Sequence, residues 1–244
     1  YEEKKPETLE KLKSGYPRFV RHRRVQELAS FWGRTHSLDK KDLFFFPNSE
    51  DWDFAQKVLG VSLGNIEVDR DYLIAGLPIG SDESSRLQKF FQHAGCGLSS
   101  RQAERILQSL GQVSQCESII SNPNAESEIK EVISRAHGPD IDEEDVILAS
   151  SGANAFTAVF RSALEFSRNK KKEIWIRIGW LYLDTIEIMD LLTKTHERII
   201  DLHTPQDFDK IEEIFSTYGN KIAGVVTEFP SNPLLHSCDL EKVR

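Results

Sequence analysis

DVILASSGANAFTAVFRSALEF, residues 145–166, is the stretch around which the rest of the chain is organised. Val146-Ile147-Leu148-Ala149 is a short apolar run of the kind a buried parallel strand shows, and the predicted strand covers 145–149. Ser150-Ser151-Gly152 interrupts it with small polar residues. From Ala153 the apolar positions Phe156, Val159, Phe160, Ala163, Leu164 and Phe166 recur at helical spacing, predicting a helix over 153–167. A strand running through a Ser/Gly turn into a helix N-terminus suits an anion: first-turn amides, the positive end of the helix dipole and Ser hydroxyls converge, and Gly152 permits close approach of a phosphate. The same Ser and Gly residues also serve turns and caps in units that bind nothing.

Downstream of this stretch the pattern is regular. Strand 173–178, helix 183–194, strand 198–202, helix 206–218 and strand 222–228 alternate with short polar joints. Such alternation means right-handed crossovers and a mostly parallel sheet with helices on both faces, in which ligands gather beyond the carboxyl ends of the strands. Those ends fall at SSGANA (150–155), at Gly179-Trp180-Leu181-Tyr182 and at TEFPSNP (227–233).

Upstream the reading is mainly helical, and the change of pattern at Pro139 divides the chain into a predicted helical portion, 1–139, and an α/β portion, 140–244. Residues 1–13 read as a solvated lead. Arg18-Phe19-Val20-Arg21-His22-Arg23-Arg24 places four arginines and a histidine in seven residues. It reads either as an anion or partner contact or as the polar face of a helix whose other side is Phe19, Val20, Val25 and Leu28, and the second reading is preferred. Phe44-Phe45-Phe46 calls for burial, since an exposed triple Phe is adhesive. Further helices are predicted over 84–93, from Ser99-Ser100 to Leu110, and over 126–136, the last with an apolar stripe of Ile129, Val132 and Ile133. Residues 68–78 are compatible with a strand.

Composition narrows the function. The 244 residues carry a net charge of -8, which opposes binding to a phosphate backbone, so no nucleic-acid partner is expected. No apolar run approaches the roughly 20 residues of a bilayer span and the charged N-terminus resembles no signal peptide, so a cytoplasmic protein with no membrane partner is expected. Cys96, Cys116 and Cys238 are few and scattered; they read as free thiols, and His93 near Cys96 as a helix-end pair rather than a metal site.

SSGANA, YLDT (182–185) and TEFPSNPLLHSCDLEKVR (227–244) resemble, in order and spacing, three motifs of the Cys/Met-metabolism family of pyridoxal-phosphate enzymes, the cystathionine gamma-synthase and lyase group. In that family the motifs read SSGMAA, YGGT, and ETPSNP followed by an apolar pair and an Asp. Ser150, Ser151, Gly152, Ala155, Tyr182, Thr185, Glu228, Pro230, Ser231, Asn232, Pro233 and Asp239 match. The resemblance covers about residues 100–244.

It implies pyridoxal-phosphate fold type I, the aspartate-aminotransferase-like large domain, present in part behind a mainly helical N-terminal portion. It implies cofactor contacts from Ser151, Gly152 and Ala153 to the phosphate, Tyr182 stacked on the pyridine ring, Asn232 near the phenolic oxygen and Glu228 supporting that wall. It implies a transsulfuration-type transferase or carbon–sulfur lyase of amino-acid metabolism, in a homodimer or homotetramer acting on a small amino acid. Within that range the expectation is gamma-replacement on an O-acylated homoserine by a thiol such as cysteine, as in methionine biosynthesis, with a lyase or a non-catalytic ligand-binding or oligomerisation fragment as alternatives. The chain departs from the family in one segment: Cys116–Ser121 stands where a Tyr-Ser-Arg precedes the Asn-Pro, leaving partner-subunit phosphate contacts unassigned. The family's Schiff-base lysine lies beyond the position of Asp239, so the chain is expected to be truncated before it, to hold no catalytic residue and to be inactive alone.

Overall fold

The computed structural model describes residues 21–69, 72–118 and 120–243. Two compact units divide it, Tyr1–Ser151 and Gly152–Arg244, a boundary twelve residues beyond the change of pattern at Pro139.

The first unit is built on an antiparallel sheet. Its elements are α1 (Arg23–Thr35), β1 (Lys41–Phe46), α2 (Ser49–Leu59), β2 (Asn65–Asp69), β3 (Tyr72–Pro78), α3 (Asp82–Ala94), α4 (Ser100–Ser109) and α5 (Ala125–His137), with strand order β1-β3-β2. Local signals set the helix ends. Asn48, Ser81 and Ser99 accept first-turn amides, Ser99 completing a capping box with Gln102, while Gly60 and Gly95 close α2 and α3 in the left-handed conformation.

Phe44-Phe45-Phe46 is a strand, and the alternation of side chains across the sheet explains the run. Phe45 points to the face where Leu28, Trp32, Tyr72 and Leu107 pack, under α1 and α4. Phe44 and Phe46 point the other way, with ring centroids 5.5 and 4.8 Å from Phe91, and Phe46 is 5.1 Å from Trp52. All three are at most 2% exposed. The burial that the run calls for is supplied by the chain itself, whose helices cover both faces.

The arginine cluster is spent internally where it is described; Arg18 lies outside the described residues. Arg21 donates to the Leu43 carbonyl at 2.7 Å and lies 4.4 Å over the Phe44 ring, and burial lowers its pKa. Arg24 pairs with Glu27 and Glu104, both at 2.9 Å. The stripe of α5, in contrast, is not a core face, since Ile129 and Val132 are exposed.

The predicted strand 145–149 does not form. Glu143–Asp145 is a single 3-10 turn, Val146–Ala149 has no strand partner among the described residues, and Ile147 is 90% exposed. An apolar run becomes a buried strand only where neighbouring strands satisfy its backbone; no described strand pairs with Val146–Ala149, and the central parallel strand comes later in the chain.

That strand belongs to the second unit: α6 (Gly152–Asn169), β4 (Ile174–Ile178), α7 (Leu183–Leu192), β5 (Arg198–Leu202), α8 (Phe208–Tyr218), β6 (Ile222–Thr227) and α9 (Leu240–Val243). The order is β5-β4-β6, all parallel, as the alternation of strands and helices predicts. One face of β4 (Ile174, Ile176, Ile178) packs with Ile211 and Ile214 of α8. The other presents Trp175, 4.8 Å from Phe160 of α6, and Arg177, which meets Asp190 of α7. Helices therefore cover both faces of this sheet. Trp175 also crosses the strand pair at Gly224, where a Cβ would come within 2.7 Å of the indole.

Candidate functional site

The site is built at the carboxyl ends of β4 and β6. Ile178 is in register with Thr227, and the Thr227 hydroxyl donates to the Ile178 carbonyl at 3.0 Å, tying the two ends together. Gly179 then leaves β4 at φ +82, a conformation that favours glycine, while its amide donates to Leu202 of β5 at 2.7 Å. That turn carries the chain through buried Leu181 to Tyr182, the N-cap of α7.

Tyr182 and Glu228, 46 residues apart in sequence, meet here: the Tyr182 amide donates to Glu228 Oε1 at 2.5 Å. Asn232 follows on a loop closed by Ser231, which is 3% exposed. The Ser231 amide donates to the His236 carbonyl at 2.9 Å, its hydroxyl accepts the His236 amide at 3.0 Å, and its carbonyl accepts the Leu235 amide at 2.8 Å. Asn232 is left exposed at the tip. Sequence reasoning placed Ser231 only as a motif member; its role as the loop's internal fastening was not legible, because it depends on contacts that close only in three dimensions.

Gly152 and Ala153 stand on a different element, the first turn of α6, with Ser151 directly before it. Since α6 returns to β4 at its C-terminal end and is about 27 Å long, its N-terminus runs toward the carboxyl ends of the strands. Space at Gly152 is open, a Cβ there meeting nothing within 4 Å. The strand expected before this helix is missing, so the helix start is reached from an exposed segment without strand pairing among the described residues.

A phosphorylated flat cofactor can be tested against these groups. First-turn amides of α6 lack intrahelical acceptors by geometry and carry the positive end of the dipole; the opening at Gly152 admits a phosphate, and the Tyr182 ring, on a residue 38% exposed, offers a flat face. Taken separately, these groups are of the kind that suit a phosphate and a flat ring. The lysines with described partners are engaged elsewhere. Lys210 pairs with Glu213 at 2.7 Å, which raises its pKa, and Lys242 pairs with Asp239 at 3.9 Å over the Phe208 ring. Among the described residues no group of three or more His, Cys, Asp or Glu stands together to hold a metal, and no helix is long and apolar enough to cross a membrane. Cys96, Cys116 and Cys238 form no disulfide.

The chain is 27% identical over 250 residues to an L-2-amino-4-chloropent-4-enoate dechlorinase/desaturase of Streptantibioticus cattleyicolor. That match covers all of this chain and 49% of the relative, so the chain spans about half the length of the curated relative it matches. No protein-family model matches it, and no solved structure does.

Proposed function

We propose that this chain is part of a pyridoxal-phosphate-dependent enzyme of the Cys/Met-metabolism type, with a fold-type-I large domain, acting on a small α-amino acid that carries a leaving group on its γ carbon. The observation that carries the reading is the relative: its named substrate bears chloride on carbon 4, the γ carbon of an α-amino acid. Expulsion of a γ substituent is also the first half of the chemistry that the three-motif resemblance implies. The relative and the resemblance both point to the same bond.

Pyridoxal phosphate, when bound, supplies an electron sink that acidifies the α carbon and allows charge to be relayed toward a departing γ substituent. The chain's own residues do the rest of the work described here. The Gly152 and Ala153 amides would hold the phosphate dianion, with Ser151 beside them. Tyr182 would cover one face of the ring, and Asn232 would donate to the phenolic oxygen. Glu228 would support the wall beside Asn232.

Elimination of the lyase type is the preferred outcome, because the relative's printed activity is a dechlorination with desaturation. The finer alternative, gamma-replacement by a thiol as in a cystathionine gamma-synthase, shares every step up to departure of the γ substituent. Assembly as a homo-oligomer belongs to the same proposal, and rests on the resemblance now that the Phe44–Phe46 run is accounted for within the chain.

The test is to load the protein with pyridoxal phosphate and offer γ-chloro- and O-acyl-substituted α-amino acids with and without cysteine. Release of the γ substituent is expected, with a keto acid or an unsaturated amino acid as product if elimination prevails and a thioether only if replacement does. Borohydride reduction and peptide mapping of the same sample identify any lysine that holds the cofactor. Failure to bind the cofactor, or to release any γ substituent from the protein at its full natural length, would overturn the reading.

A further inference from the structure

We propose that Glu228 is a positioning residue: its carboxylate acts on a ligand only through Tyr182, by fixing the backbone from which that ring projects. This rests on the pyridoxal-phosphate reading above. Tyr182 begins α7 with φ -59 and ψ 141, and its own side chain makes no capping bond. The acceptor for its amide comes instead from Glu228, the first residue after β6, at 2.5 Å. That residue is itself held, because the preceding Thr227 is in register with Ile178 and bonded to it. On either side of Tyr182 the chain is anchored by side chains buried in the unit, Leu181 at 2% and Asp184 at 7% exposure. The backbone at 182 is thus fixed from three directions while the residue stays 38% exposed.

A carboxylate suits this duty better than a neutral cap. It stands at the N-terminus of α7, where the helix dipole favours negative charge, and a charge-assisted bond to an amide is stronger than a neutral one. With Oε1 committed to the backbone, the carboxylate is oriented by the fold before any ligand arrives. Glu228 and Tyr182 form a single device, in which ring placement is the output.

The experiment uses the full chain as wild type, Glu228→Gln, Glu228→Ala, Tyr182→Ala and the double variant Tyr182→Ala/Glu228→Ala, each checked for folding by circular dichroism. Hydrogen exchange at the Tyr182 amide and non-covalent titration with pyridoxal phosphate are read in parallel. Glu228→Ala should speed exchange at that amide by roughly tenfold or more, and Glu228→Gln should restore much of the protection, since its amide oxygen still accepts. Affinity for pyridoxal phosphate should fall in Glu228→Ala but show no further loss when Tyr182 is already Ala. Unchanged exchange in Glu228→Ala would overturn the proposal, as would equal losses of affinity with and without the Tyr182 ring. A wild-type chain that binds no cofactor, yet whose Tyr182 amide answers to Glu228, would overturn the cofactor reading and leave the positioning intact.

Discussion

Arg177 and Asp201 face each other in register across β4 and β5, and the guanidinium takes both carboxylate oxygens, Nε at 2.6 Å and Nη2 at 2.9 Å. Asp190 of α7 reaches the same guanidinium at 2.9 Å, but by one contact only. Arg177 is 8% exposed and sits in a strand whose other residues are apolar, so its charge is tolerated because these partners supply what water would have. The two carboxylates are not equivalent. Burial, set against the pull of Arg177, raises the pKa of Asp190, whereas burial of Arg177 is outweighed by its bonds to Asp201 and Asp190, which raise its own. Asp201, which holds the guanidinium by two bonds, is therefore the structural partner, and Asp190, with one bond and a side chain 52% exposed, contributes less.

Replacing Asp201 by Asn should destabilise the second unit by about 1–2 kcal/mol, less than for a fully buried pair because Asp201 is partly solvated. Asp190→Asn should cost under about 0.5 kcal/mol or stabilise slightly. Urea midpoints of the two variants measure the difference, and a larger loss for Asp190→Asn would reverse the assignment.

The Arg168–Glu197 pair predicts an acid-side loss of stability. Glu197, with its side chain 1% exposed, is penalised by burial, yet its bonds to Arg168 at 2.6 and 2.7 Å and to the Lys194 amide at 2.7 Å leave its pKa below the ordinary value. A carboxylate depressed in the folded state contributes stability that is present above the unfolded pKa and is lost as pH falls through the folded one. Urea midpoints should therefore fall between about pH 5 and pH 2, and Glu197→Gln should flatten that part of the curve while lowering the neutral plateau.

Phe45→Ala should destabilise the first unit by about 3–5 kcal/mol, since it empties a site enclosed by α1, α4 and β3. Sedimentation should show the same assembly state before and after the substitution. A change of oligomeric state without loss of thermal stability would mean that the run serves an interface instead.

Two glycines of the second unit should behave oppositely. Gly224→Ala drives a methyl into the Trp175 ring and should cost about 1–3 kcal/mol. Gly152→Ala meets open space and should leave stability nearly unchanged. Gly152→Pro removes one amide at the first helical position, where proline is tolerated, and should weaken phosphate binding without unfolding α6. Thermal melts read the first effect, and titration with pyridoxal phosphate reads the last.

Much of this protein is written locally. The strands Arg198–Leu202 and Ile222–Thr227 and helices such as Ser100–Ser109 follow from apolar periodicity, caps and stops within a dozen residues, because those signals act through the backbone nearest to them. Periodicity also determined that strand alternates with helix after residue 170, and hence that the ends of β4 and β6 carry Tyr182 and Glu228 to one edge of a parallel sheet. Tertiary structure decided the rest. Val146–Ala149 has the composition of a buried strand, but a strand exists only as one side of a hydrogen-bonded pair, and no described strand pairs with it. Phe44–Phe46 reads as adhesive until β1 places alternate rings on two separate helical layers. Glu228 is legible in sequence as one letter of a motif; that its carboxylate receives the amide of Tyr182 depends on the register of β4 with β6, a contact across 46 residues that no local pattern encodes.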